Sequence, residues 1–209
     1  MNKVLYMLLL LTAFSCMGKY QSQAPELTVN HAAKQIADVI GDTIKVDLQK
    51  SKIEWIATKM RGTRRRTGTI SFENGHLLMK NGEIIGGTLS VDMESMTVTD
   101  IPFSEEIARK NFLDHVKSED FFNVTKFPLS TLTLTSIHKI SEDSLECSGN
   151  LTIREVTKNI TFVAIHQGLV FSTIFKFNRF DWNIAYQGNW ADKTLVDKDV
   201  ELSIKIVIQ

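Results

Sequence analysis

The dominant periodicity along this chain is two. Near the C-terminus Val200, Leu202, Ile204, Ile206 and Ile208 are apolar, with Glu201, Ser203 and Lys205 between them. Leu132 and Leu134 alternate with Thr131, Thr133 and Thr135, and Phe175 and Phe177 with Lys176 and Asn178. Ile85, Leu89, Val91 and Met93 fall on one face, opposite Thr88, Ser90 and Asp92. Successive side chains of a strand point to opposite faces, so this alternation describes antiparallel sheet with one dry and one wet face. Turn signals punctuate the runs at Glu73-Asn74-Gly75, Lys80-Asn81-Gly82, Ser141-Glu142-Asp143-Ser144 and Gln187-Gly188-Asn189. About seven or eight strands at such spacing predict a sandwich or a closed barrel.

Two stretches read as helix. Residues 31–40 place Ile36 and Ile40 four apart. Pro102-Phe103-Ser104-Glu105-Glu106 puts acids in a first turn with Arg109-Lys110 one turn later, an order that suits the helix dipole. The pairs Phe103/Ile107 and Ala108/Phe112 are then expected to pack inward, and a second short turn is expected over 116–121.

The first residues follow another logic. MNKVLYMLLLLTAFSC carries one lysine and then an apolar run from Val4 to Leu11, too short for a bilayer but suited to a secretory signal. Small residues before Cys16 suggest a bacterial lipobox, with Cys16 lipidated and a cleaved signal over 1–15. An ordinary cleaved signal with an incidental cysteine is the alternative. The expected layout is signal 1–15, lipidated N-terminus and tether 16–45, and one domain over 46–209. That makes the protein an exported, membrane-anchored lipoprotein of the periplasm or cell surface. Cys147 is left without a partner and reads as a buried small hydrophobe.

Composition narrows the classes. Ile, Val and Thr supply 53 of 209 residues, which favours strands. Lys+Arg and Asp+Glu are 24 each, so no broad cationic face is available for nucleic acid. Two cysteines cannot build a disulfide scaffold or a four-thiolate metal site. Lys59 and the run Arg61-Gly62-Thr63-Arg64-Arg65-Arg66 form a local basic patch, readable as a solvated rim or as an anion or membrane contact. Nucleophile elbow, P-loop, zinc-protease and dinucleotide motifs are absent, and the five histidines are scattered, so no catalytic or metal site is assigned.

Four segments carry a family resemblance in fixed order: residues 115–128 (HVKSEDFFNVTKFP), 149–158 (GNLTIREVTK), 178–184 (NRFDWNI) and 196–202 (VDKDVEL). Together with Gly86–Ser95 they resemble the YceI-like family over about residues 46–208. Glu155 and Asn183 stand where glycine is usual, and Asn159 where proline is common. The resemblance implies an extended, eight-stranded, lipocalin-like antiparallel β-barrel with one or two short helices. It implies an exported protein that holds a long apolar or isoprenoid-type lipid, such as a polyisoprenoid or isoprenoid quinone, with no catalytic role and no other cofactor.

Dry-face candidates for the lining are Trp55, Ile70, Phe72, Ile85, Leu89, Val91, Leu132, Leu134, Leu151, Ile153, Phe162, Phe175, Phe177, Leu202 and Ile204. Phe121, Phe122 and Trp182 join them from the motifs. Arg179 and Asp181 are candidates for the mouth or for a buried ion pair. Two alternatives stay open: a structural barrel filled by its own side chains, and an enzyme acting on a bound lipid. A homodimer through an exposed edge or rim is also open.

Overall fold

A computed structural model describes residues 18–33, 40–184 and 196–209. The strands are β1 (Thr28–His31), β2 (Asp42–Lys45), β3 (Lys52–Lys59), β4 (Arg64–Lys80), β5 (Glu83–Asp92), β6 (Leu129–Lys139), β7 (Ser144–Ile153), β8 (Val156–Gln167), β9 (Val170–Asn178) and β10 (Val196–Val207). One helix, α1 (Glu106–Lys117), lies in the β5–β6 connection. Short 3-10 turns cover Met93–Ser95 and Arg179–Trp182. Strands β3 to β10 pair antiparallel in the order β8-β7-β6-β5-β4-β3-β10-β9, and β8 pairs β9 to close an eight-stranded barrel. Strand β2 adds to β4, and β1 to β8.

Closure is incomplete in an informative way. Only Ile165, His166 and Gln167 of β8 pair with β9 before the two strands diverge. The chain's own N-terminal segment fills the gap. Pro25 and Leu27 exchange backbone hydrogen bonds with Lys176 of β9, at 2.8 and 3.0 Å, and Thr28 to His31 then pair with Thr161 to Lys158 of β8. Buried Leu27 joins the core through this seam. Residues expected to form a tether are thus part of the barrel wall. Further back, the Tyr20 N–H donates to the Gly62 carbonyl at 2.9 Å, where a Cβ on Gly62 would lie 2.2 Å from the Tyr20 oxygen.

The other departures from expectation have local causes. Glu73-Asn74-Gly75 is no turn but a bulge inside the 17-residue β4, where the register slips between Phe72 and Asn74. An extra residue bends a strand without ending it. Asn81-Gly82 is a true hairpin turn, both residues at positive φ. His31 ends β1, Ala32 and Ala33 follow it without helix, and residues 34–39 of the expected 31–40 helix, like Gln187-Gly188-Asn189, fall outside the described residues. Phe103 and Ile107 are 87% and 77% exposed and Ala108 is exposed, so those expected inward pairs do not form. The inward face of α1 is instead Phe112, Leu113 and Val116, which pack against buried core residues.

Candidate functional site

One end of the barrel is plugged. Buried Leu77, Phe171 and Ile208 pack there with half-buried Ile44, Met79, Ile84, Leu134, Leu145 and Ile206, and His166 stacks on Phe171 with ring centroids 4.3 Å apart. The other end carries the β3–β4 loop, α1, the Arg154-Glu155 turn and the Arg179–Trp182 turn. Between them lies an almost wholly apolar cavity of about 220 Å³. One water needs roughly 10–15 Å³ on this measure, so the barrel is not filled by its own side chains.

Its wall is made by the inward rows of the strands. Ile53, Trp55 and Ala57 come from β3, Ile70 and Phe72 from β4, and Leu202 and Ile204 from β10. Phe175 and Phe177 come from β9, Leu151 and Ile153 from β7, and Leu89 and Val91 from β5. The β5–β6 connection adds Met93, Met96, Phe112, His115, Val116, Phe121 and Phe122 at the open end. Phe112 stacks on Trp55 at 6.2 Å, and His115 meets the Phe121 ring edge-on at 5.1 Å.

Polar groups reach the cavity at this end. Arg179 is 2% exposed, and its guanidinium donates to three backbone carbonyls, those of Ile184, Val196 and Asp197. It thereby holds together the chain on either side of residues 185–195. Its planar group also faces the Phe180 ring at 4.3 Å. Burial pushes its pKa down, opposed by the charge of Asp197. Of the two readings open for Arg179 and Asp181, the ion pair does not form; backbone carbonyls serve as partners of Arg179 instead. Asp197 accepts from Thr58 Oγ1 at 2.6 Å and from the Arg61 and Gly62 N–H groups at 3.0 and 2.9 Å, and so braces the β3–β4 loop. Among the described residues no group of His, Cys, Asp and Glu could hold a metal ion.

The YceI-like domain matches residues 44–208, most of the chain. The chain belongs to the YceI-like family. Protein YceI of Salmonella arizonae is 48% identical over 50 residues, which is 24% of this chain and only about a quarter (26%) of that relative. The crystal structure of Burkholderia cenocepacia BcnA shares the fold with a TM-score of 0.62 and 20% identity, covering 78% of this chain and 99% of that one. A polyisoprenoid binding domain from Saccharophagus degradans, implicated in plant cell wall breakdown, aligns with a TM-score of 0.57 and 13% identity, covering 79% and 97%.

Within this YceI-like barrel, fifteen of the sequence-expected lining residues face the cavity: the wall residues named above together with Leu132, Phe121, Phe122 and Arg179, but without Ile53 and Ala57, which had not been expected. Four do not. Ile85 is the extra residue of a β5 bulge opposite Leu78 and Met79, so parity shifts and Ile84 turns inward in its place. Leu134 belongs to the plug. Phe162 packs against Phe175, ring centroids 5.6 Å apart, without reaching the cavity. Trp182 is fully buried, donates its indole N–H to the Leu151 carbonyl at 3.1 Å and meets Phe177 edge-on. Ile53, Ala57 and Lys59 share the parity of Trp55, and Ile160 that of Phe162, so the same alternation was there to be extended. Met93 continued the alternation of Leu89 and Val91, and Phe112 was expected to pack inward from α1; Met96 and Val116 had no such signal, because the connection that carries them is not a strand. Cys16 and the signal-like segment lie outside the described residues.

Proposed function

We propose that this protein binds a long apolar lipid of isoprenoid type, such as a polyisoprenoid or isoprenoid quinone, and sequesters or carries it. The observation that carries this reading is the open apolar cavity inside a barrel plugged at one end. Each buried CH₂ of a ligand contributes roughly 0.8 kcal/mol, so a chain of many carbons binds well without directional contacts. Family membership, and the fold shared with a polyisoprenoid binding domain, point the same way. In this reading the tail lies against Trp55, Phe72, Phe175 and Phe177, and the head group stays at the open end. The protein acts as a binder rather than an enzyme, is exported, and is tethered to a membrane through lipidated Cys16.

The test is native mass spectrometry of protein purified from its own host. A bound mass in the isoprenoid range, or uptake of an isoprenoid quinone by stripped protein, is expected. A barrel that is empty as isolated and takes up no quinone overturns the reading. Intact-mass measurement of the mature chain checks the anchor: acylation at Cys16 is expected, and an unmodified N-terminus refutes it.

A further inference from the structure

Three inward rows change character as they reach the open end. On β3 the row runs Ile53, Trp55, Ala57 and then Lys59. On β4 it runs from Phe72 and Ile70 through Gly68 to Arg66. On β9 it runs Phe175, Phe177 and then, one step past the strand, Arg179. Strand β10 joins β9 to β3, and β3 pairs β4, so the three rows belong to one contiguous side of the barrel. The β5–β8 side and the β5–β6 connection meet the cavity with Met93, Met96, His115, Ser130, Ile153, Phe121 and Phe122, none of them Lys, Arg, Asp or Glu.

The collar is therefore one-sided and carries excess positive charge: three cations against a single carboxylate, Asp197. That carboxylate already accepts three hydrogen bonds from the β3–β4 loop. Arg66 pairs with Asp100 at 2.7 Å but is 42% exposed and keeps further N–H groups. Lys59 has no ion-pair partner among the described residues. Arg179 is buried among carbonyls, with no carboxylate on its guanidinium among the described residues. Cations at the lip of an apolar cavity act through a lower effective dielectric than in bulk water, which strengthens their pull on an anion.

We infer that the ligand is an anionic amphiphile, its tail in the cavity and a phosphate or carboxylate head on the Lys59–Arg66–Arg179 side of the mouth. This rests on the lipid-binding reading and specifies its chemistry. A neutral head would leave Lys59 without an anionic partner and the excess positive charge of this side uncompensated, and a cationic head would be repelled.

The test is a calorimetric titration of stripped protein with dodecyl phosphate, dodecanol, dodecyltrimethylammonium and inorganic phosphate at low salt. Dodecyl phosphate is expected to bind at least about tenfold more tightly than dodecanol, as one charge-assisted hydrogen bond suffices for such a factor. Lys59→Gln should remove most of that advantage and leave dodecanol unchanged, whereas Lys59→Arg should keep it. Inorganic phosphate alone should not bind measurably. Equal binding of dodecyl phosphate and dodecanol, or tighter binding of the ammonium probe, overturns the anionic assignment and leaves lipid binding standing. Binding of inorganic phosphate as tight as that of dodecyl phosphate overturns the amphiphile in favour of a free-anion site. Failure of every alkyl probe overturns both readings together.

Discussion

Single residues of this barrel are constrained by contacts that their type alone does not reveal. Gly68 lies on the inward row of β4, and a Cβ there would come within 2.3 Å of the Trp55 ring and 1.9 Å of the Thr97 carbonyl. The indole occupies the space a side chain would need, so Gly68→Val should cost at least about 1–3 kcal/mol by overpacking, read as a lower thermal midpoint. Asn183 takes the left-handed conformation, φ 55°, and caps the Arg179–Trp182 turn. Asparagine is among the residues that tolerate it.

Cys147 is buried as expected, and burial, with a smaller push from Glu146, raises its thiol to about 11. Iodoacetamide should leave the native protein essentially unlabelled at neutral pH and label it promptly in denaturant. Tyr20 donates its hydroxyl to Glu201 at 2.7 Å, and burial together with that bond lifts its phenol to about 12. A raised pKa means the folded state holds the proton more tightly. This contribution is therefore fully present below the ordinary tyrosine value near 10 and is lost as pH rises through about 12. Denaturant titrations across that range should show a decline in the native protein that Tyr20→Phe flattens.

At the scale of elements, the N-terminal segment matters most. It bridges β9 and β8 where the barrel would otherwise splay, and Asn150 fixes its end. The Asn150 side chain accepts from the Ala33 N–H at 2.9 Å and donates to the Ala33 carbonyl at 2.7 Å, while Asn159 donates to it at 3.0 Å. Asn150→Ala leaves those groups without partners and should cost about 1–3 kcal/mol. For a chain of this size that corresponds to a drop of roughly 2–4 °C in midpoint per kcal/mol, measurable by circular dichroism. A midpoint equal to the native one would show that the segment contributes nothing to closure. Alternation is too brief here to reveal this element: Leu27 and Val29 alternate with Glu26, Thr28 and Asn30, but the partners of residues 25–31 lie more than a hundred positions away.

For the whole molecule, the packed plug at one end and the cavity at the other separate stability from binding. Filling the cavity should stabilise the fold by mass action, by about 2.7 kcal/mol at a ligand concentration one hundred times its dissociation constant. A thermal midpoint that rises with added lipid is expected, and one indifferent to lipids that do bind would mean equal affinity for the unfolded chain. Phe175→Ala and Phe177→Ala separate wall from core: the expected effect is weaker lipid binding, whereas a loss of several kcal/mol with binding intact would make these rings plain core.

The alternation of Leu202 with Ser203, or of Phe175 with Lys176, settled by itself which faces of the strands are dry, since backbone geometry alone sends neighbouring side chains to opposite sides. The ordered motifs settled the family and with it the barrel. Tertiary structure alone decided where parity slips, at Glu73 of β4 and Ile85 of β5, because one extra residue reverses the face of those beyond it. It also decided that α1 turns Phe112 rather than Phe103 inward, and that the barrel is left partly hollow. Both depend on how volumes from distant segments fit together. The cationic ends of three inward rows were written in the chain as Lys59, Arg66 and Arg179, but only pairing through β10 and β4 brings them to one side of one mouth.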